Sequence, residues 1–281
     1  MFDALPDLMI EPLVRAALEE DLGRAGDVTS NAVALPQDML RARFVARQAG
    51  RVAGLQPARI TAAVIDPALS FRVLSNDSAA VSPGAAIAEI SGPARAVLTA
   101  ERTALNFLTH LSGIATLTAA YVDAVKGTGA RIAATRKTLP GLRALQKQAV
   151  IAGGGWPHRY GLDDAILIKD NHIAAAGSIG EALKRARDYA GHMIVIEVEV
   201  DSLAQLEIAL PFKPHAVLLD NFSLEDLKRA VAIAKGQTIL EASGGVTLSS
   251  VRSIAETGVD VISAGALTHS APSLDIGLDA L

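Results

Sequence analysis

Six short apolar runs, "ARIAA", "AILI", "MIVIEVEV", "HAVLLD", "TILEA" and "VDVISAG", follow one another after residue 110, each succeeded by a stretch of helical character. Few folds accept that order. Parallel strands joined through helices need right-handed crossovers, and this many within about 160 residues suggest a barrel or partial barrel. In such a barrel the active site lies at the carboxyl ends of the strands, so the residue that closes each run carries the information. Those ends deliver Arg136 and Lys137, then Lys169, Glu199 and Asp220, then Ser243 with Gly244 and Gly245, and finally Gly265 with Ala266. A ligand crossing that rim meets cations, then a metal, then a phosphate cradle.

The first 110 residues read differently. A helix at about 7–22 precedes the alternating run "RARFVARQAGRVAG", a helix near 56–65 and strands around 69–75 and 85–90, with "SNDSAAVSPG" as the turn between them. This is a small α+β layer. Thr103 to Val122 contains no Asp, Glu, Lys or Arg, but Asn106, His110, Ser112 and four threonines make a lipid setting costly. Two buried helices broken at "SG" are expected there. The division expected is an amino-terminal α+β domain over 1–110, an α/β barrel over 111–270, and a tail, 271–281, packing back on the first domain.

The chain has 281 residues and a net charge of −4, yet from Arg136 to Lys169 it places six Lys/Arg against Asp163 and Asp164 alone. Cations concentrated in one stretch of an acidic protein point to an anionic ligand rather than to a nucleic-acid face. Aromatics are only 4%, so stacking platforms for single strands are lacking. There is no cysteine, which excludes disulfides, thiolate chemistry and Cys-based zinc sites. The start, "MFDALPDLMIEPLVRAALEEDLG", is acidic and amphipathic, unlike a signal peptide, and cytoplasm is the default expectation.

Each candidate has a plain alternative. Glu197 and Glu199 share one strand face by period two, Glu241 sits in another strand, and acids inside a barrel need a partner or a cation. Glu199 and Asp220 suit either a salt bridge to Lys137 or Lys169 or a magnesium site that also takes phosphate oxygens. "SGG" and "SAGALTHS" are tight turns that can also present backbone N–H groups to phosphate. His158, beside Arg159 after three glycines, is a packed loop residue or an anion contact. Arg143 and Lys147, one helical turn apart, read as a solvated face.

At this point the residues carry a family likeness. "EEDLGRAGDVTS", "ERTALNFLTHLSGIAT", "TRKTLPGLRAL", "GGGWPHRYGL", "ILIKDNHI", "VEVEVDS", "LLDN", "EASGGV" and "GALTHSAPSLDIGLD" together resemble the quinolinate phosphoribosyltransferases from about residue 11 to the end. The resemblance implies an amino-terminal α/β sandwich and an incomplete barrel. It implies binding of quinolinate and phosphoribosyl pyrophosphate with Mg2+, and release of nicotinate mononucleotide, pyrophosphate and CO2. By the same likeness Thr135, Arg136, His158, Arg159 and Lys169 meet the substrate, and planar Arg forks suit its two carboxylates. Lys137 lies near the pyrophosphate and reacting centre. Glu199 and Asp220 hold magnesium and face the ribose, and Ser243, Gly244, Gly245, Gly265, Ala266 and His269 cradle phosphate. Arg102 would otherwise be a solvated first-turn residue; the resemblance implies a homodimer in which it enters the neighbouring subunit's site.

Two positions depart from the family pattern. Pro157 stands where an asparagine is usual and Ala134 where an aspartate is usual. These changes are also similar to a paralogous group linked to molybdenum transport, whereas "IKDNHI" with the Glu199 and Asp220 pair resembles the quinolinate enzymes more closely. A non-catalytic barrel that binds a phosphorylated metabolite would need only the glycine cradle, not the cations and carboxylates.

Overall fold

The computed structural model describes residues 5–281. The chain forms two compact units: one takes the chain up to Ala119 with Leu139–Gly154 and Ser270–Leu281, the other Ala120–Thr138 with Gly155–His269.

The first unit contains α1 (Asp7–Leu22), α2 (Val28–Val33), β1 (Met39–Ala46), β2 (Gly50–Arg51), α3 (Leu55–Ile65), β3 (Ser70–Val73), β4 (Ala80–Val81), β5 (Ala86–Pro93) and the start of α4 (Ala94–Ala124). Alternation decides the β1 faces. Ala42, Phe44 and Ala46 point into a core with Ile87, Ile90, Val97 and Leu108, while Arg41 and Arg43 turn outward to Glu89 of β5. Burial raises the Glu89 pKa, but Arg41, Arg43 and Arg72 outweigh it and hold the carboxyl below its usual value. Asp27 starts α2 by accepting the Ser30 N–H at 2.9 Å.

Two expectations fail in this unit. No break occurs at "SG": α4 is a single helix of 31 residues. Ser112 Oγ instead bonds both the N–H and the carbonyl of Ala53, each at 3.0 Å. Gly113 lets the chain pass, since a Cβ there would lie 2.0 Å from the Pro272 carbonyl oxygen. Nor is α5 (Arg143–Ala152) a solvated helix, because Lys147 and Gln146 are fully buried. Two basic residues at i,i+4 mark one stripe of a helix without telling which side meets protein. Gln146 accepts the Leu139 N–H at 3.0 Å and lies 2.8 Å from His110.

The second unit is the repeating part: β6 (Arg131–Ala133), β7 (Ile166–Ile168), α6 (Asp170–Ala176), α7 (Ile179–Tyr189), β8 (Ile196–Val200), α8 (Leu203–Ala209), β9 (Ala216–Asp220), α9 (Leu224–Ala234), β10 (Ile239–Ser243), α10 (Val251–Ala255), β11 (Val261–Ser263) and α11 (Ala266–His269). Its strands pair in the order β6-β11-β10-β9-β8-β7, with parallel ladders throughout. The end strands β6 and β7 are not paired with each other, so the barrel is incomplete. Ser178 and Ser223 cap α7 and α9 by accepting the N–H of Glu181 and Asp226.

After α11 the chain returns to the first unit. Leu274 donates its N–H to the Thr109 carbonyl at 2.9 Å, and β12 (Ile276–Ala280) pairs antiparallel with β1. The tail expected over 271–281 thus joins the first unit as Ser270–Leu281, whereas Leu139–Gly154 joins it from within the segment expected as barrel, and the first boundary falls at Ala119 rather than at residue 110. No helix among the described residues is long and apolar enough to cross a membrane.

Gly113→Ala forces the helix and the Pro272 carbonyl apart. It should destabilise the protein by about 1–3 kcal/mol, the usual range for overpacking. A urea midpoint equal to that of the parent protein would show that the carbonyl does not press on this glycine.

Candidate active site

Register sorts the barrel strands into two faces. Val198, Val217 and Leu240 are in line across β8, β9 and β10, with Leu219, Ala242 and Ile262 in the next row, all buried. The opposite face carries Glu199 opposite Leu218, Leu218 opposite Glu241, and Asp220 opposite Ser243. A cavity of about 390 Å³ opens on that second face, lined by Thr135, Arg136, Lys137, His158, Arg159, Leu167, Lys169, Glu199, Leu218, Asp220, Glu241, Ser243 and Ser263.

The cations come from three segments. Arg136 and Lys137 follow β6, where Thr135 Oγ1 accepts the Lys137 N–H at 3.0 Å and Thr268 donates to the Lys137 carbonyl at 2.8 Å. His158 and Arg159 follow Trp156, which extends the sheet by hydrogen bonding with Ile132 and Ala134 at 2.8 Å each. Lys169 sits between β7 and α6, its N–H donated to His172 Nδ1 at 3.0 Å. Arg136 Nε is buried without a hydrogen-bond partner. Burial, then the like charge of Arg136, lowers the Arg159 pKa from its usual value.

Carboxylates face these cations. Lys169 Nζ pairs with Glu199 Oε2, and Asp220 accepts a hydrogen bond from the Asn221 amide at 2.8 Å. Deeper, His158 Nε2 lies 3.5 Å from Glu197 and 3.3 Å from Glu241. Burial alone would lower the His158 pKa, but Glu197 and then Glu241 raise it to about 9. The Arg159 N–H donated to Nδ1 at 2.8 Å favours the neutral ring with its proton on Nε2, and so opposes that rise. Burial pushes the Glu197 carboxyl up, against the pull of His158.

The glycines occupy the remaining rim. Gly244 has φ +93°, and a Cβ there would lie 2.2 Å from Asn221 Oδ1, so geometry and space both require glycine. Ser243, Gly244 and Gly245 lead into a turn at Thr247–Ser250 rather than straight into a helix; α10 begins only at Val251. Gly265 leads directly into α11, and a Cβ on it would lie 3.0 Å from both His269 Nε2 and Lys137 Cδ.

The structure thus gathers Thr135, Arg136, Lys137, His158, Arg159, Lys169, Glu199, Asp220 and Ser243 around one cavity. Gly265 and His269 adjoin Lys137, with Ala266 next in α11. Arg102 is exposed on α4, in the first unit. Sequence reading passed over Ser263, Leu167, Leu218 and Asn221. Period two from Lys169 and Asp220 finds both leucines, the end of "VDVIS" finds Ser263, and "LLDN" contains Asn221 beside the acid it orients.

Fold and site together define an α/β-barrel protein whose cavity, at the carboxyl ends of the strands, is rimmed by opposed charges. Comparison narrows this class. The descriptions "Quinolinate phosphoribosyl transferase, N-terminal domain" and "C-terminal domain" match residues 27–112 and 114–279. The carboxylating nicotinate-nucleotide pyrophosphorylase of Mycobacterium leprae (strain TN) is 46% identical over 283 residues, covering 99% of this chain and 98% of its own length. The probable enzyme of that name from Bacillus subtilis (strain 168) is 42% identical, covering 97% and 93%. The solved structure of nicotinate-nucleotide pyrophosphorylase from Francisella tularensis superposes with a TM-score of 0.93 at 39% identity, over 99% of this chain and 98% of that one. The chain belongs to the quinolinate phosphoribosyltransferase family.

Proposed function

We propose that this chain transfers the phosphoribosyl group of phosphoribosyl pyrophosphate to quinolinate with loss of CO2, yielding nicotinate mononucleotide and pyrophosphate. It is a pentosyltransferase of NAD biosynthesis. The observation that carries the reading to this site is that Arg136 and Arg159 line one cavity, with Arg136 Nε buried and unpartnered. Two like charges held together in a cavity call for a dianion, and a pyridine dicarboxylate supplies two carboxylates for two guanidinium forks. Lys169 adds a third cation, and Leu167 and Leu218 give the ring an apolar wall.

In the reaction, departure of pyrophosphate leaves oxocarbenium-like positive charge at C1 of the ribose, which the carboxylates of Glu199 and Asp220 stabilise. The pyridine nitrogen then bonds to C1. Its ring becomes a pyridinium, the adjacent carboxylate leaves as CO2, and the electron pair left on the ring carbon is held beside the positive nitrogen until a proton replaces it. Arg136, Arg159 and Lys169 orient the dianion. Lys137 meets the pyrophosphate side, while Ser243, Gly244, Gly245, Gly265, Ala266 and His269 receive phosphate oxygens through backbone and side-chain donors.

Glu199 and Asp220 are the residues that would hold magnesium, since carboxylate oxygens suit a hard cation and Asp220 is half exposed at its strand end. The ion would neutralise charge on the leaving pyrophosphate. Lys169, paired with Glu199, occupies that acid until a competing cation takes it. A cytoplasmic homodimer is the expected setting.

Mixing quinolinate and phosphoribosyl pyrophosphate with the protein should release CO2 and nicotinate mononucleotide together. Excess chelator should stop the reaction, and added magnesium should restore it. Retention of both substrates without CO2 would leave a binding protein instead.

Arg136→Ala should weaken quinolinate binding by about 1.5–3 kcal/mol, the usual worth of hydrogen bonds to charged groups. Calorimetry reads this directly, and unchanged affinity would remove Arg136 from the site.

Arg102 is tested by mixing subunits. Homodimers of Arg102→Ala and of Lys169→Ala should each be nearly inactive. If Arg102 serves the neighbouring subunit, every mixed dimer holds one intact site, and random exchange should restore roughly a quarter of all sites. No recovery after proven exchange would confine Arg102 to its own subunit.

A further inference from the structure

Glu197 and Glu241 take no part in the reaction above, although both are buried, 7% and 5% exposed. Acids so placed need a reason, because a buried carboxylate without a partner is unfavourable. Glu197 Oε1 has no hydrogen-bond partner, and Glu241 Oε1 has none of good geometry. What both acids face is the imidazole: Nε2 of His158 stands 3.5 Å from Glu197 Oε2 and 3.3 Å from Glu241 Oε1.

The histidine itself is unusual. Its φ is +53°, in the left-handed region that residues bearing a Cβ enter uncommonly. Nδ1 accepts the N–H of Arg159 at 2.8 Å, so the two ring nitrogens are engaged on opposite sides. One edge is held by acids on β8 and β10, the other by the backbone of the next residue. Arg159 is held in turn at its far end, where Nη1 donates to the Ala165 carbonyl at 3.1 Å. The imidazole is therefore a strut between the barrel floor and the segment that carries Arg159.

We propose that Glu197 and Glu241 are positioning residues: together they grip Nε2 of His158, and through the left-handed His158–Arg159 turn they hold the Arg159 guanidinium beside Arg136 for a dianionic ring. The inference rests on the reading that this pair of arginines receives quinolinate. His158, which also lines the cavity, then serves the site in part through Arg159.

The test uses the full chain and quinolinate as probe. Glu197→Gln and Glu241→Gln keep the shape and remove the charge. Each should raise the quinolinate dissociation constant and KM about tenfold or more, as expected when a contact to a charged group is lost. The KM for phosphoribosyl pyrophosphate and kcat should change less than about twofold. His158→Asn, which tolerates the left-handed backbone, should show the same loss, and in its background Glu241→Gln should add nothing. Arg136→Ala is measured in parallel. If that variant weakens quinolinate binding while the glutamine variants do not, the strut is wrong and the site stands. If Arg136→Ala is also without effect, the site reading fails and the strut with it. Equal added losses in the parent and His158→Asn backgrounds overturn action through the histidine. So does a stoichiometric divalent ion in the purified protein that Glu241→Gln loses, since the acids would then be its ligands. Should a glutamine variant not fold, as read by urea unfolding, the His158→Asn pattern decides: a loss confined to quinolinate supports the strut, and a uniform loss overturns it.

Discussion

Period two in a parallel strand, with one face under helices and the other toward the barrel interior, is the constraint from which the rest follows. The covered face has to be apolar, and Val198, Val217, Leu219, Leu240, Ala242 and Ile262 fill it. The other face is thereby free to hold the residues of chemistry, and in-register pairing aligns them in rows. Glu199, Leu218 and Glu241 lie in line, with Asp220 and Ser243 above them toward the carboxyl ends. Because the strands are parallel, every chain segment leaving the sheet at that end adds its own groups to the same rim.

Charges brought inside such a barrel persist only in balance. The cavity and its floor carry Arg136, Lys137, Arg159 and Lys169 against Glu197, Glu199, Asp220 and Glu241, with His158 between the two sets. Opposed charges meet across the cavity, as with Lys169 and Glu199. Like charges also lie near one another there, as with Arg136 and Arg159, which line the same cavity. The same low dielectric that makes an unpaired group expensive makes a correctly placed anion bind well.

Much of this was legible before any coordinates. The apolar runs located each barrel strand, the residues closing them named Arg136, Lys137, Lys169, Glu199, Asp220 and Ser243 of the cavity lining, and the family resemblance added Thr135, His158 and Arg159. Helix α4 was misread at "SG" because a glycine inside a helical stretch looks like a break; the carbonyl of Pro272, distant in sequence, was the actual reason for it. Lys147 was misread as solvated because amphipathic spacing describes a helix and not its neighbours. Glu197 and Glu241 were visible as interior acids, but their common partner was not, since His158 belongs to a loop whose path the strand pattern does not describe.

What the amino-acid order determined alone was local and periodic: which segments are strands, which of their faces is polar, and, through motifs kept in order, the family. What tertiary structure decided was which distant groups share a volume. The joining of 139–154 to the first unit, the facing of two strand acids to one imidazole, and the approach of Asn221 to Gly244 all depend on how loops close over a sheet. The physical reason is range. Periodicity comes from bonds between adjacent residues, whereas pairing of buried charges is set by packing among segments far apart in the chain, which no local pattern records.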